Sequence, residues 1–381
     1  MANQVKYGMV GGSIKAFIGE VHRNAISFDP RAKLAAGCFS TDFDLNVATA
    51  EANSVDLSRA YKNFTEMAKK ESEREDGIDF VVVTTPNHLH YEVCKTFLEA
   101  GIHVVCEKPL CLEVKQAEEL VKLSDEKGLL FGVTYTYAGY IMVKVMREII
   151  LSGEIGDIIS VNAEYAQGWL LDSLSDGSKP GDLPMWRLDP KYVGISNCVG
   201  DIGSHIEHTV GYVTGLKIKR LLATANNFGY PLDFNANVIL EYENGSNGAY
   251  WCTQLAAGTD NDLVVRIYGT KGSLEWKQCT PDYLRYTPKS QAPQILSRGN
   301  GYIKENFASG SHIPAGHPEG LHIGFANTYK NFVTSVIKLK AGQKPSEQDL
   351  DFPNVKEGME GVKFIHAVIE SAKNNSAWVE L

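Results

Sequence analysis

The sequence predicts an α/β protein of two domains: a doubly wound parallel sheet over residues 1–137, then an α+β domain over 138–381 with a mainly antiparallel open sheet. Three observations predict it. Apolar strand runs alternate with helical patterns up to about residue 137. One of them, FVVVTT at 80–85, is continuous, as in a strand covered on both faces. Beyond 138 the runs alternate apolar and polar, as antiparallel strands with one solvated face do. With 381 residues, 44% hydrophobic and 22% charged, the chain can bury two cores and falls outside the disordered and fibrous classes.

In chain order, KYGMVG (6–11) is the first strand and AFIGEVHRNAISF the helix after it. AKLAAGCFS (32–40) is the next strand, with a helix near 43–53, and KKESEREDG (69–77) reads as a solvated helix end. After FVVVTT, Pro86-Asn87 starts the helix HLHYEVCKTFLEAG, which Gly101 ends. HVVCEKP, a Glu/Lys-rich helix and LLFGVTYTY (129–137) complete the βαβ repetition. A helix at 140–152 leads to the alternating strand IISVNAEYAQGW (158–169). LLDSLSDGSKPGDLP is rich in turn formers and is expected to lie over a cleft. A helix begins near Asp201, and KRLLATANNF, NANVILEY, GAYWCTQLA, DLVVRIYG and GSLEWKQ follow as strands. ENGSNG between two of them is a hairpin signal, and a last helix is expected over 319–338.

Composition excludes several partners. The net charge is -9 with no Lys/Arg cluster, which speaks against nucleic acid and anionic membrane surfaces. No apolar stretch reaches transmembrane length, and MANQVKYGMV runs straight into a strand, so no signal peptide is expected. The seven cysteines are scattered without a CxxC pair. They read as reduced thiols of a cytoplasmic protein rather than as disulfides or a zinc site.

The N-terminal strand, glycine turn and helix suggest a Rossmann dinucleotide-binding domain, in which pyrophosphate sits on the helix N-terminus. Aligned as G-x-G-x-x-G/A, the turn is Gly11-Gly12-Ser13-Ile14-Lys15-Ala16. Ser13 stands in the second glycine's place, where its hydroxyl could bond a phosphate oxygen, and Lys15 adds positive charge. Alone, this turn fits an ordinary βα connection equally well. The second strand ends with Ser40 and, two residues on, Asp42. A carboxylate there suits the ribose hydroxyls of NAD, and no cation follows for the extra phosphate of NADP, although Ser40 leaves NADP open. Asp42 also reads simply as a helix N-cap.

Glu107-Lys108-Pro109 raises a sharper question, because two opposite charges and a proline interrupt a buried strand run. Ligands of doubly wound sheets bind beyond the carboxyl ends of the strands, and EKP lies at such an end, counted here as the fifth. The residue before proline is held extended, and a Lys-Pro bond can be cis, which would fix the lysine's direction. A lysine near apolar walls loses proton affinity and suits acid–base work. Standing alone, the stretch would be a surface ion pair. GDIGSHIEH (200–208) puts Asp201 and His205 at i and i+4 on one helix face, a carboxylate beside an imidazole that fits proton transfer. His205, Glu207 and His208 could suggest metal, but no third ligand is placed, so no metal is expected and His208 reads as a packed histidine.

These pieces together resemble the Gfo/Idh/MocA oxidoreductases. The matching segments are the N-terminal strand-turn-helix, TTPNHLHYE (84–92), EKP (107–109) and GDIGSH (200–205), in the family's order and spread over nearly the whole chain. The resemblance implies that Lys108 touches the substrate hydroxyl and the nicotinamide. It implies that Asp201 and His205 bind substrate, with His205 as acid–base. It also places Thr85, Pro86, Asn87, His88 and Glu107 along the bound cofactor. Finer likeness in EYAQGWL (164–170), MWRLDP (185–190) and IPAGHPEG (313–320) is to the dehydrogenases that oxidise glycosides at carbon 3, levoglucosan dehydrogenase and the C-glycoside 3-oxidases. Trp169 and Trp186 could offer flat faces to a sugar ring, and Gln167, Arg187 and His317 could bond its hydroxyls; each also reads as ordinary packing or a polar loop.

The expectation is an NAD-dependent oxidoreductase acting on a secondary hydroxyl of a sugar, glycoside or cyclitol, working as a homodimer or homotetramer through its open sheet face. Two other classes stay open. An NAD-using glycosidase on the same scaffold would give no net NADH. A non-enzymatic dinucleotide sensor would have no need of Lys108, Asp201 and His205.

Overall fold

The structure, a computed structural model, describes residues 4–171, 187–304, 307 and 309–381. The chain forms two compact units, residues 1–139 with 321–359 and residues 140–320 with 360–381. The first holds strands β1 (Val5–Gly11), β2 (Ala32–Cys38), β3 (Phe80–Thr84), β4 (His103–Cys106) and β5 (Phe131–Val133). They are parallel throughout, in the order β2-β1-β3-β4-β5. Helices α1 (Phe17–Ser27), α2 (Phe43–Ala52), α3 (Phe64–Glu73), α4 (His90–Glu99) and α5 (Val114–Lys127) join them. Further along come α6 (Ile141–Leu151), α7 (Ser204–Thr214), α8 (Leu321–Lys340) and α9 (Val355–Lys373).

All five residues of β3 are buried, which is why FVVVT lacks polar alternation. On one face of the sheet, Val5, Tyr7 and Met9 of β1 and Phe80 and Val82 of β3 pack with α1 and α8. Phe80 stacks on Tyr7 at 5.5 Å and meets the edge of Phe332 at 5.3 Å. Burial of each such side chain is worth roughly 1.5–3 kcal/mol.

The division of the chain differs from the 138–381 expected for the second domain. Helix α8 returns to the first unit because Phe325, Tyr329, Phe332, Val333 and Val336 form a stripe that covers the sheet beside α1. Helix α9, not foreseen, is started by Asn354, whose side chain accepts from Lys356 N and Glu357 N while Glu357 accepts from Asn354 N.

Three further expectations change. Lys108 follows the fourth strand, β4, not the fifth. The strand expected over 129–137 shortens to Phe131–Val133, and Thr136–Gly139 makes a 3₁₀ turn. Within 69–77, Glu71 is buried rather than solvated: Arg59 pairs with it, and Tyr61 Oη and Ile78 N donate to it at 2.6 and 3.1 Å.

The second unit is built on one nine-stranded sheet: β6 (Ile158–Ala166), β7 (Ile218–Asn226), β8 (Asn235–Tyr242), β9 (Asn247–Thr253), β10 (Asp262–Gly269), β11 (Gly272–Lys277), β12 (Tyr283–Pro288), β13 (Gln294–Ser297) and β14 (Val379–Glu380). All neighbours are antiparallel except β6 and β9. ENGSNG makes the β8–β9 hairpin, with Ser246 O accepting from Tyr242 N at 3.0 Å and Gly245 at φ 85°. Ile159, Ile239, Tyr268, Tyr283 and Ile295 leave large apolar side chains exposed on the strands. Among the described residues, no helix is long and apolar enough to cross a membrane.

Candidate active site

In the first unit the candidate cofactor residues gather because β1, β3 and β4 are neighbours in register. Gly11 pairs with Thr84 and Val83 with Cys106, so Gly11-Gly12, Thr85–His88 and Glu107-Lys108 lie at three adjacent carboxyl ends. Gly11 and Gly12 have φ of +81° and +71°. A Cβ on Gly12 would sit 2.8 Å from Thr84 Oγ1 and 2.9 Å from Gly19 Cα. Gly19, overlooked in the sequence, lets the turn and α1 pack this closely: its own Cβ would come within 2.3 Å of Gly12 Cα. Ser13 is buried, while Ile14 and Lys15 are exposed. Ala16, the N-cap of α1, offers no side-chain acceptor, so the first N–H groups of the helix are left for an anion. This turn fits a dinucleotide pyrophosphate.

At the end of β2, Asp42 caps α2 by accepting from Asp44 N at 3.0 Å and Leu45 N at 3.3 Å, while Asp42 N donates to Ser40 Oγ at 3.1 Å. The capping role therefore holds, and the Asp42 side chain is exposed. Buried Asn46 fixes this end by accepting from Phe39 N at 2.6 Å and donating to Tyr61 O at 3.0 Å. Asn87 opens a 3₁₀ turn, Asn87–Leu89, ahead of α4.

Lys108-Pro109 is cis. Glu107, expected along the cofactor, turns its carboxylate into a protein network: His22 Nε2 lies 2.9 Å and Thr134 Oγ1 2.5 Å from Oε1. His22 Nδ1 lies 2.5 Å from Tyr329 Oη on α8. Burial pushes the Glu107 carboxyl up, but the bonds and charge of His22, the Lys108 charge and the Thr134 bond outweigh it and hold Glu107 below the usual range. Both ring nitrogens of buried His90 face carbonyls, Nδ1 that of Pro109 and Nε2 that of Thr85, each at 2.9 Å. Neither His22 nor His90 stood out in the sequence; each is one histidine on an apolar helix face.

In the second unit, Asp201 lies in a π-helical turn, Val199–Gly203, that runs straight into α7, whose second residue is His205. The helix expected from Asp201 thus begins as a wider turn, a form often found at functional sites. Asp201 Oδ1 accepts from Arg187 Nη1 at 3.3 Å and Oδ2 from Gln254 Nε2 at 3.1 Å. Gln254 Oε1 in turn accepts from Asn197 Nδ2 at 2.6 Å. Asp233 anchors the start of the turn, accepting from Asn197 N at 2.9 Å and Val199 N at 2.8 Å. Burial raises the Asp233 carboxyl above its ordinary pKa despite these bonds. Gln254 and Asp233 were missed because the fold, not spacing, brings them to Asp201 and to the start of its turn, and Asn197, although only four residues away, carries no motif.

His205 is buried, and its ring lies 6.0 Å from that of Tyr165. Tyr165 Oη and Gln167 Nε2 both donate to Asn261 Oδ1 at 2.7 Å, and Trp169 Nε1 donates to Gln167 Oε1 at 2.9 Å. Gln167 and Trp169 thus join Tyr165 through Asn261, with His205 beside the Tyr165 ring, while Arg187 and Gln254 hold Asp201. His317 is placed differently. It is exposed on a loop held by buried Arg298, which donates to His317 O and Ile313 O at 2.6 and 2.8 Å and pairs with Asp282 and Glu319. Trp186 and most of the loop expected over a cleft lie outside the described residues. Among the described residues, no group of three His, Cys, Asp or Glu could hold a metal ion.

A parallel sheet with its glycine turn aimed at an uncapped helix, together with a second unit carrying a carboxylate–histidine turn, defines a two-unit oxidoreductase of the nicotinamide-dinucleotide class. Residues 5–135 match the oxidoreductase family with an NAD-binding Rossmann fold, and residues 143–275 match the GFO/IDH/MocA C-terminal domain. The chain belongs to the GFO/IDH/MocA family, and its cofactor is NAD. It is 34% identical over 385 residues to the uncharacterized oxidoreductase YfiI of Bacillus subtilis, covering 100% of this chain and 98% of that one. Levoglucosan dehydrogenase of Pseudarthrobacter phenanthrenivorans is 25% identical over 98% of this chain and 97% of its own. Among solved structures, an inositol dehydrogenase homologue of Azotobacter vinelandii with NAD+ superposes with a TM-score of 0.93 at 33% identity, covering 100% of this chain and 98% of that one. The same homologue with NADH and myo-inositol gives 0.91.

Proposed function

We propose that the protein oxidises a secondary hydroxyl of a pyranoside, that on carbon 3, with NAD, or reduces the corresponding keto sugar. The observation that carries this reading is the polar constellation around Asp201. Each of its carboxylate oxygens accepts from one directed donor, Arg187 or Gln254, which fixes the carboxylate's orientation and leaves each oxygen a further lone pair for a ring hydroxyl. Trp169, 40% exposed with its indole N–H held by Gln167, leaves a flat face for a sugar ring. The full-length likeness to levoglucosan dehydrogenase supports a glycoside.

NAD, when bound, supplies the hydride acceptor. In this reading the glycine turn Gly11–Lys15 and the N-terminus of α1 hold its pyrophosphate, Ser40 and Asp42 its ribose end, and Thr85–His88 the stretch between. His205 takes the hydroxyl proton, or Lys108 does, and Lys108 stabilises the developing alkoxide. Gln167, Arg187 and Asp201 bond the neighbouring hydroxyls, and His317 adds a polar edge. Assembly as a dimer or tetramer would cover Ile159, Ile239, Tyr268, Tyr283 and Ile295. A cyclitol is the second reading, favoured by the Azotobacter homologue's complex with myo-inositol.

A panel of pyranosides, cyclitols, acyclic polyols and 2-hydroxy acids, followed by NADH absorbance, tests the proposal. NADH is expected with pyranosides. Glucose lacking the carbon-3 hydroxyl has nothing to oxidise there and should be inert, while an analogue lacking a neighbouring hydroxyl should be slower by a factor on the order of 10⁴, because a buried partner is left unpaired. Activity confined to cyclitols would replace the pyranoside with the second reading. Activity confined to acyclic polyols or 2-hydroxy acids would overturn both.

A further inference from the structure

His90 has no part in the roles assigned above, yet its ring spans the two loops that carry them. Thr85 opens the stretch assigned to the cofactor, and Pro109 directly follows Lys108. The ring's two nitrogens lie 2.9 Å from the carbonyls of these two residues. The side chain is fully buried on the first turn of α4, so its position is set by the helix rather than by solvent. Burial lowers the pKa of His90 below its ordinary value, so the neutral ring has one N–H to donate, and a backbone carbonyl that accepts it from inside cannot drift. On the other side of Lys108, Glu107 is held in the same manner by buried His22 and by Thr134.

We propose that His90 is a positioning residue for Lys108, fixing the direction of the lysine by donating its one N–H, on Nδ1, to the adjoining Pro109 carbonyl. The inference rests on the reading of Lys108 as a catalytic residue. Displacing a reacting group by about 1 Å costs up to ~10²-fold in rate. His90→Ala is therefore expected to lower kcat by ~10- to 10²-fold. NAD affinity, read by tryptophan fluorescence, should fall by a smaller factor than kcat, because the glycine turn is untouched although His90 also faces the Thr85 carbonyl. His90→Gln, which keeps one donor, should recover part of the loss.

Two readouts separate positioning from a general structural role. In a Lys108→Ala background, His90→Ala should cost less than about twofold more, since the two residues act as a unit. In cofactor-free protein with ¹³C-dimethylated lysines, the Lys108 signal, assigned by its absence in Lys108→Ala, should shift or broaden in His90→Ala. An equal loss of kcat in both backgrounds, or an unchanged Lys108 signal, would overturn the inference. Near-normal turnover in Lys108→Ala alone would instead overturn the catalytic reading of Lys108, and the inference with it. Should His90→Ala not fold, the same cycle with His90→Gln, which should then show an intermediate loss present only when Lys108 is, decides the question.

Discussion

Gln254→Leu tests whether Asp201 works as part of a held constellation. Gln254 is fully buried and stands between Asn197 and Asp201, accepting from one at 2.6 Å and donating to the other at 3.1 Å. Leucine keeps nearly the same volume and removes both bonds. A hydrogen bond to a charged group is worth about 1.5–3 kcal/mol. At about 1.4 kcal/mol per tenfold, kcat/KM should fall by roughly 10- to 150-fold. The loss should stay below that of Asp201→Ala, because Arg187 still donates to the other carboxylate oxygen at 3.3 Å. Stability should drop by only about 1 kcal/mol, since Asn197 Nδ2 retains the Asp233 carbonyl at 3.3 Å. The assay is steady-state kcat/KM on the best substrate of the panel, alongside thermal unfolding and NAD affinity, the last expected unchanged. A variant that folds normally and keeps kcat/KM within twofold would refute the idea that Gln254 orients Asp201.

Gly19→Ala places a Cβ 2.3 Å from Gly12 Cα and 2.6 Å from Gly12 O, backbone atoms that cannot swing aside. It should cost about 3 kcal/mol of stability and weaken NAD binding, as unfolding and fluorescence titration would show. NAD should bind at least ~10-fold better than NADP, because the loop after β2 offers Ser40 and the Asp42 carboxylate rather than a cation; equal or reversed affinity on titration would assign that pocket to Ser40. Burial depresses His208 to about 3, so below its unfolded pKa the unfolded chain binds a proton that the folded one does not. Stability should therefore be full above about pH 6.5 and fall progressively toward pH 3. His208→Phe should make that acid limb shallower in denaturant titrations, the remainder coming from His90 and His103, which burial depresses as well, and an unchanged limb would mean His208 does not contribute.

The parallel sheet was legible because a strand buried on both faces reads as FVVVT and its neighbours follow the same rule. The second sheet was legible through alternation, as in NANVILEY, whose bounds Asn235–Tyr242 match the run. Helix α8 was visible, but its allegiance was not: an apolar stripe says that a helix is buried, never against which sheet. Helix α9 was hidden by Gly358 and Gly361, which weaken the helical signal, although Asn354 and Glu357 form a readable start.

The candidate site divides in the same way. Motif residues such as Gly12, Lys108, Asp201 and His205 declare themselves by type and spacing. Those that hold them do not. Gln254 is 53 residues from Asp201 and reaches it only through the packing of β9 against the π-helical turn, while Asn197, four residues before Asp201, accepts from its N–H within the chain's own turn. His22 and Tyr329 are 307 residues apart and meet because α8 returns to α1. Asp42 shows the opposite case: its cap was readable from the first turn of α2, and the structure adds only the bond to Ser40.

The central claim is a hydride taken from carbon 3 of a pyranoside ring. A methyl glucoside carrying deuterium at carbon 3 alone, turned over with NAD, tests it most directly. Mass spectrometry of the reduced cofactor should find the deuterium there, with a 3-keto glucoside as the product. Reduced cofactor free of deuterium, with the label retained in an oxidised sugar, would mean that a different carbon is attacked and would contradict the account.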